Sequence, residues 1–99
     1  MFSITEQADD DGVVLVVHGS LDLATGPALL TRGRRSVGDG RSLSLDLSDV
    51  DLVDAVGIGV LIGLRKVVVE SGGSFAITAP SAAAMASFAA HEVDRLLTP

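Results

Sequence analysis

The segment Leu43-Ser44-Leu45-Asp46-Leu47-Ser48 constrains this chain more than any other. Leucine alternates with a small or acidic residue three times over. A period of two belongs to an extended strand with one apolar and one polar face. The sheet that holds it therefore has one covered side and one wetter side.

Other elements arrange themselves around that strand. Phe2 to Gln7 alternates weakly and is expected as an edge strand, followed by a turn at Asp9-Asp10-Asp11-Gly12. Val13 to Val17 is a β-branched run suited to a central strand, antiparallel to the first, and Gly19-Ser20 breaks it. Asp22 to Thr25 leads into a helix reaching about Val37, with Asp22 or Thr25 as cap, Pro27 in its first turn and Gly38-Asp39-Gly40 as its end. Ser48 to Asp54 reads as an acidic loop, and Asp54 caps a long helix from Ala55 to Ser71 that stops at Gly72-Gly73. A strand from Ser74 to Ala79 follows, then an alanine-rich helix from Ala82 to Ala90. The tail, Val93 to Thr98, is expected to add a short edge strand.

The order β-β-α-β-α-β-α-(β) defines an α/β fold. It predicts a mixed sheet of four to five strands, antiparallel in its N-terminal hairpin and parallel elsewhere. Right-handed crossovers place the helices mainly on one face. With 99 residues and no linker or repeat, residues 1–99 are expected to form one domain.

Composition narrows the function. The net charge of −6 and the near absence of aromatics (three Phe, no Tyr, no Trp) argue against direct nucleic-acid binding. The cluster Arg32-Gly33-Arg34-Arg35 reads as the solvated C-terminal end of a helix. Without cysteine there is no disulfide framework, thiolate metal site or thiol nucleophile. No signal peptide is evident, and the longest apolar run, Ala55 to Leu64, is too short to span a bilayer, so a cytoplasmic protein is expected. No cofactor and no metal is expected.

The helix that opens at Asp54 is unusual because Gly57, Gly59 and Gly63 fall in its first turns. Each costs about 1 kcal/mol relative to alanine. Gly59 and Gly63, four residues apart, are expected to let the helix lie close to the sheet. Gly57, at the start, suits close approach of a backbone from outside the domain.

Two segments carry a family resemblance. Gly19-Ser20-Leu21-Asp22 follows a strand, and Leu45-Asp46-Leu47-Ser48-Asp49-Val50-Asp51 leads to Asp54-Ala55-Val56-Gly57-Ile58-Gly59-Val60-Leu61. Together with Asp94-Arg95-Leu96-Leu97 they resemble the STAS domain of bacterial anti-sigma factor antagonists. The resemblance implies a partner-switching module. Such a protein binds an anti-sigma factor that is also a serine kinase, which releases the sigma factor. Phosphorylation of a serine at the helix N-terminus, within Asp-Ser-Ser-Gly, ends the interaction.

Here the sequence departs from that pattern, reading Asp54-Ala55-Val56-Gly57. Val56 stands at the phosphoacceptor position and neither it nor Ala55 has a hydroxyl. A phosphate there would bring about −1.5 to −2 charge beside Asp54 and Asp22. Val56 offers instead an apolar contact that cannot be switched.

The expected partner-binding residues are Asp22, Leu23, Thr25, Asp54, Ala55, Val56, Gly57 and Ile58, with Leu23, Val56 and Ile58 as an exposed apolar centre. The competing reading turns Val56 and Ile58 inward as core. Ser20, Thr25 and Ser48 are weak alternative phosphoacceptors, each reading first as a cap or turn residue.

Catalytic readings fare worse. Asp46, Asp51 and Asp54 invite comparison with a phospho-accepting receiver domain, but no late strand supplies its lysine; Lys66 lies within a helix. His18 and His91 read as structural or solvated, and no nucleophile elbow is present. The glycines near the helix start lack the following Lys-Ser/Thr of a nucleotide loop. The remaining alternative is a non-phosphorylatable scaffold subunit of a larger regulatory complex, or a homodimer.

Overall fold

A computed structural model describes residues 1–38 and 40–98. Among these described residues eight elements follow one another: β1 (Ser3–Ala8), β2 (Gly12–Leu21), α1 (Gly26–Ser36), β3 (Ser42–Val53), α2 (Ala55–Glu70), β4 (Phe75–Ile77), α3 (Ala82–Ala90) and α4 (Asp94–Leu97). The four strands form one sheet in the order β1-β2-β3-β4, with β1 antiparallel to β2 and the other pairs parallel. The mixed sheet is the one the strand order predicts.

Alternation decides which side of the sheet is covered. Val13, Leu15 and Val17 of β2 and Leu43, Leu45 and Leu47 of β3 are buried, whereas Val14, Val16, Ser44 and Asp46 are half-buried. The helices supply the matching apolar surface through Leu29 of α1, Leu61, Leu64 and Val68 of α2, and Phe88 of α3. The opposite face keeps Ser3, Thr5 and Gln7 of β1 beside His18, Val16 and Val14 of β2.

Local chemistry sets the ends. Asp9 Oδ1 accepts from the Asp11 and Gly12 amides, closing the β1–β2 turn. Asp54 and Ser81 cap α2 and α3, accepting from the amides of Gly57 and Ala84 at 2.9 and 3.0 Å. Thr25 stands at the N-cap of α1 but makes no capping bond. Asp39, placed between the glycines expected to end α1, lies outside the described residues.

Four expectations need correction. Gly19-Ser20 does not break the second strand: β2 continues to Leu21, and Gly19, at φ +95°, lets Met1 and Phe2 pass so close that a Cβ would meet the Met1 carbonyl oxygen at 2.9 Å. Residues 48–53 are not a loop but the second half of β3. Register shifts between Val16 and His18 and between Gly19 and Ser20 change the spacing of the buried positions there, which become Val50 and Val53. A period-two search therefore stops at Leu47.

The tail forms α4 and not a strand. Val93 and Leu97, four residues apart, share one helical face and both pack on the core, and the Leu97 amide donates to the Val93 carbonyl at 2.9 Å. The glycine assignment in α2 is inverted. A Cβ on Gly59 or Gly63 would meet nothing within 4 Å, whereas one on Gly57 would stand 2.5 Å from the Leu21 carbonyl oxygen. The close backbone belongs to β2 of the same domain.

Candidate functional site

The C-terminal ends of β2 and β3 and the first turns of α1 and α2 meet at one end of the molecule. The Asp54 amide donates to the Leu21 carbonyl at 3.2 Å, tying the start of α2 to the end of β2. Gly57 deepens that contact because only hydrogen fits against Leu21. On the other side, the Cβ position of Gly26 lies 3.7 Å from Val56 Cγ1 and 3.0 Å from Val60 Cγ2. The two helix starts are thus packed together.

The turn before α1 is held by its own side chains. Asp22 Oδ1 accepts from the Ala24 and Thr25 amides at 2.9 and 3.2 Å. Thr25 Oγ1 donates to the Ser20 carbonyl at 2.7 Å and accepts from the Asp22 amide at 3.0 Å. With its hydroxyl so engaged and half-buried, Thr25 positions the turn that carries Leu23. Leu23 is 71% exposed at its tip.

Of the residues singled out from sequence, Asp22, Leu23, Thr25, Asp54, Ala55, Val56 and Gly57 converge on this end. Val56 is 40% exposed and Ala55 is exposed. Ile58 is different: at 5% exposure it belongs to the core and cannot form part of an outward apolar centre. The reason is angular, since Ile58 shares its inward helical face with the buried Leu61. Leu52 was missed. It is 51% exposed near the C-terminal end of β3, before the Asp54 cap, and reading residues 48–54 as a loop hides its outward orientation.

Asp22 and Asp54 neighbour Leu23 and Val56 along the chain, and Asp51 lies beside Ser20 near the end of β2. Asp51 Oδ1 accepts from Ser20 Oγ at 2.7 Å, and nearby Asp49 pairs with His18 Nδ1 at 2.7 Å. Ser20 is therefore already committed to a carboxylate. A phosphate on it would face Asp51. Ser48 donates to Asp46 Oδ1, and that bond, helped by the Ser48 amide and by His18, holds the Asp46 carboxyl below its ordinary range against a small opposing effect of burial.

A carboxyl with a lowered folded pKa stabilises the fold above its unfolded pKa, and that contribution is lost as pH falls through the folded value. Ser48→Ala should raise the Asp46 pKa, read by an NMR titration of its carboxyl shift in acid. An unchanged midpoint would contradict the assignment. The effect on stability should be small because Ser48 is exposed and Asp46 is only half-buried.

Among the described residues no group of three or more His, Asp or Glu side chains is arranged to hold a metal ion, and no helix is long and apolar enough to cross a membrane. His91 lies at the end of α3, its Nδ1 2.9 Å from the Ser87 carbonyl.

A parallel sheet with an antiparallel first strand, covered by helices on one side, and a glycine-containing helix start packed on the end of β2 define the class of domain. The chain belongs to the STAS-domain family, matching the family described as Mlab, STAS domain over residues 4–98. Solved structures share the fold. An anti-sigma factor antagonist from Mycobacterium paratuberculosis superposes with a TM-score of 0.84 at 24% identity, over 99% of this chain and 84% of that one. The anti-sigma factor antagonist SpoIIAA in its unphosphorylated form gives 0.76 at 14% identity, over 97% and 86%. An STAS-domain anti-sigma factor antagonist from Rhodobacter sphaeroides gives 0.62 at 18%, over 78% and 85%. No curated protein matches the sequence.

Proposed function

We propose that this chain is an anti-sigma factor antagonist of the partner-switching kind, which binds a kinase-type anti-sigma factor in the cytoplasm and has lost its phosphorylation switch. The observation that carries the reading is the exposed, hydroxyl-free start of α2. Val56 and Leu23 present apolar surface, with Asp22 and Asp54 beside them along the chain and Asp51 near the end of β2, an arrangement with the oily centre and polar rim of a protein interface. Membership of the STAS family and the likeness of the fold to antagonist structures support the role.

Ending the interaction then rests on abundance or on a residue elsewhere. Incubation with the cognate kinase and ATP should leave the intact mass of the wild-type chain unchanged, while Val56→Ser should gain one phosphate. A stoichiometric gain by the wild type would overturn the unswitched reading, and peptide mapping would decide between Ser20, Thr25 and Ser48. The absence of any hydroxyl at positions 55 and 56 equally favours a scaffold subunit held permanently in a complex. Light scattering separates the two, since a scaffold assembles into a large particle and an antagonist does not.

A further inference from the structure

We propose that Leu52 is a third apolar anchor of the partner-binding tip and that Ser20 positions it, an inference that rests on the partner-binding reading of that tip. The register of β2 and β3 slips at this end of the sheet. Gly19 stands opposite Val50 and Ser20 opposite Leu52, so Asp51 is an extra residue with no counterpart on β2. Bulges are rare between parallel strands, and they re-aim the side chains beside them. Strict alternation from the buried Val50 would turn Leu52 inward and Val53 outward. The bulge reverses both: Val53 is 5% exposed and Leu52 is 51% exposed. The strand thus leaves its larger side chain in water and forgoes the burial that side chain would bring.

A side chain pins the bulge. Ser20 Oγ donates to Asp51 Oδ1 at 2.7 Å and holds the extra residue against β2. The carbonyl of the same Ser20 accepts from Thr25 Oγ1 at 2.7 Å, which fixes the turn carrying Leu23. One residue therefore ties down both exposed leucines, one through its hydroxyl and the other through its backbone. With Ile58 in the core, Leu23 and Val56 alone make a small apolar centre, and Leu52 enlarges it.

Leu52 and Val56 are four positions apart in the chain, so their Cα atoms lie within about 14 Å of each other. A partner surface of standard size is about 30 Å across, and one seated on Val56 reaches Leu52. Leu21 and Val53, opposite one another, are buried against the helices, so Ser20 and Leu52 look off the uncovered side of the sheet. Val56 lies between the helix starts, its Cγ1 3.7 Å from the Cβ position of Gly26. A partner that holds Leu52 and Val56 together straddles the end of the strands, which calls for a cleft and not a flat face.

Calorimetric titration with the purified cognate anti-sigma factor kinase tests both residues, on variants whose circular dichroism matches the wild type. Leu52→Ala should weaken binding at least about tenfold, the loss expected for an interface anchor. Val69→Ala trims an equally exposed side chain near the far end of α2 and should change binding by less than about twofold. Ser20→Ala should weaken binding about threefold or more in the wild-type background and leave it unchanged once Leu52 is alanine, because the hydroxyl acts through Leu52. A hydroxyl that only stabilised the fold would cost the same in both backgrounds, and that result would overturn the role of Ser20. Leu52→Ala binding as tightly as the wild type, with Val56→Asp inactive, would overturn the anchor and leave the reading of the tip standing. A wild type that does not bind the kinase would overturn that reading, and this inference with it.

Discussion

Val56→Asp is expected to abolish capture of the partner while leaving the domain folded. Val56 is 40% exposed in the first turn of α2, so the new carboxylate loses little water in the free protein. An acidic residue in the first turn of a helix also faces the favourable end of its dipole, which offsets some of the repulsion from Asp54. In the proposed complex the position would lie at the apolar centre of the contact, where an unpaired charge is stripped of water. Such a charge costs several kcal/mol, which corresponds to a loss of affinity of at least about 100-fold. Val69→Asp is the matched control, because Val69 is also exposed on α2 but lies near its other end. Pulldown from native extract should recover the principal partner with the wild type and with Val69→Asp, and not with Val56→Asp. Retention by Val56→Asp would move the interface away from this helix tip.

The glycines of α2 should respond to alanine with opposite signs. Helix propensity alone makes every Gly→Ala change in this helix favourable by about 1 kcal/mol. At Gly59 and Gly63 nothing opposes that gain, because a Cβ there would meet no atom within 4 Å. Each change should raise stability by about 0.5–1 kcal/mol, or roughly 4–8 °C per kcal/mol in a domain of this size. Gly57→Ala should instead destabilise by about 1–3 kcal/mol. Its Cβ would be driven to 2.5 Å from the Leu21 carbonyl oxygen and 3.0 Å from Val53 Cγ1, so α2 must lift from β2. Urea denaturation of the three variants checks the contrast, and three shifts of the same sign would contradict it. Partner binding should weaken with Gly57→Ala as well, since the displaced turn carries Val56.

These glycines show what the chain makes legible and what it hides. Their number in one helix marks that segment as unusual, but spacing alone pointed to the wrong pair. Close approach depends on the neighbouring strand's path, and β2 runs on to Leu21 past the close crossing of Met1 and Phe2 at Gly19. The leucine alternation at 43–47 predicts the covered and open faces of the sheet directly, since period and pleat are the same geometry. Beyond Leu47 the register shifts opposite β2 break that link, and Leu52 is lost from view with it. Burial of Ile58 could have been read from its place on the Leu61 face, whereas the exposure of Val56 depends on how α1 packs against α2 at Gly26. The tail misled because two adjacent leucines fit either element, and only the Val93–Leu97 spacing distinguishes the helix.

Amide hydrogen exchange on the complex with the recovered partner tests the proposed interface most directly. Binding should slow exchange in residues 21–25 and 52–58, the two stretches that frame Leu23 and Val56, and leave the uncovered sheet face around Val14 and Ser44 unchanged. Protection on that sheet face, with none at the start of α2, would contradict the account.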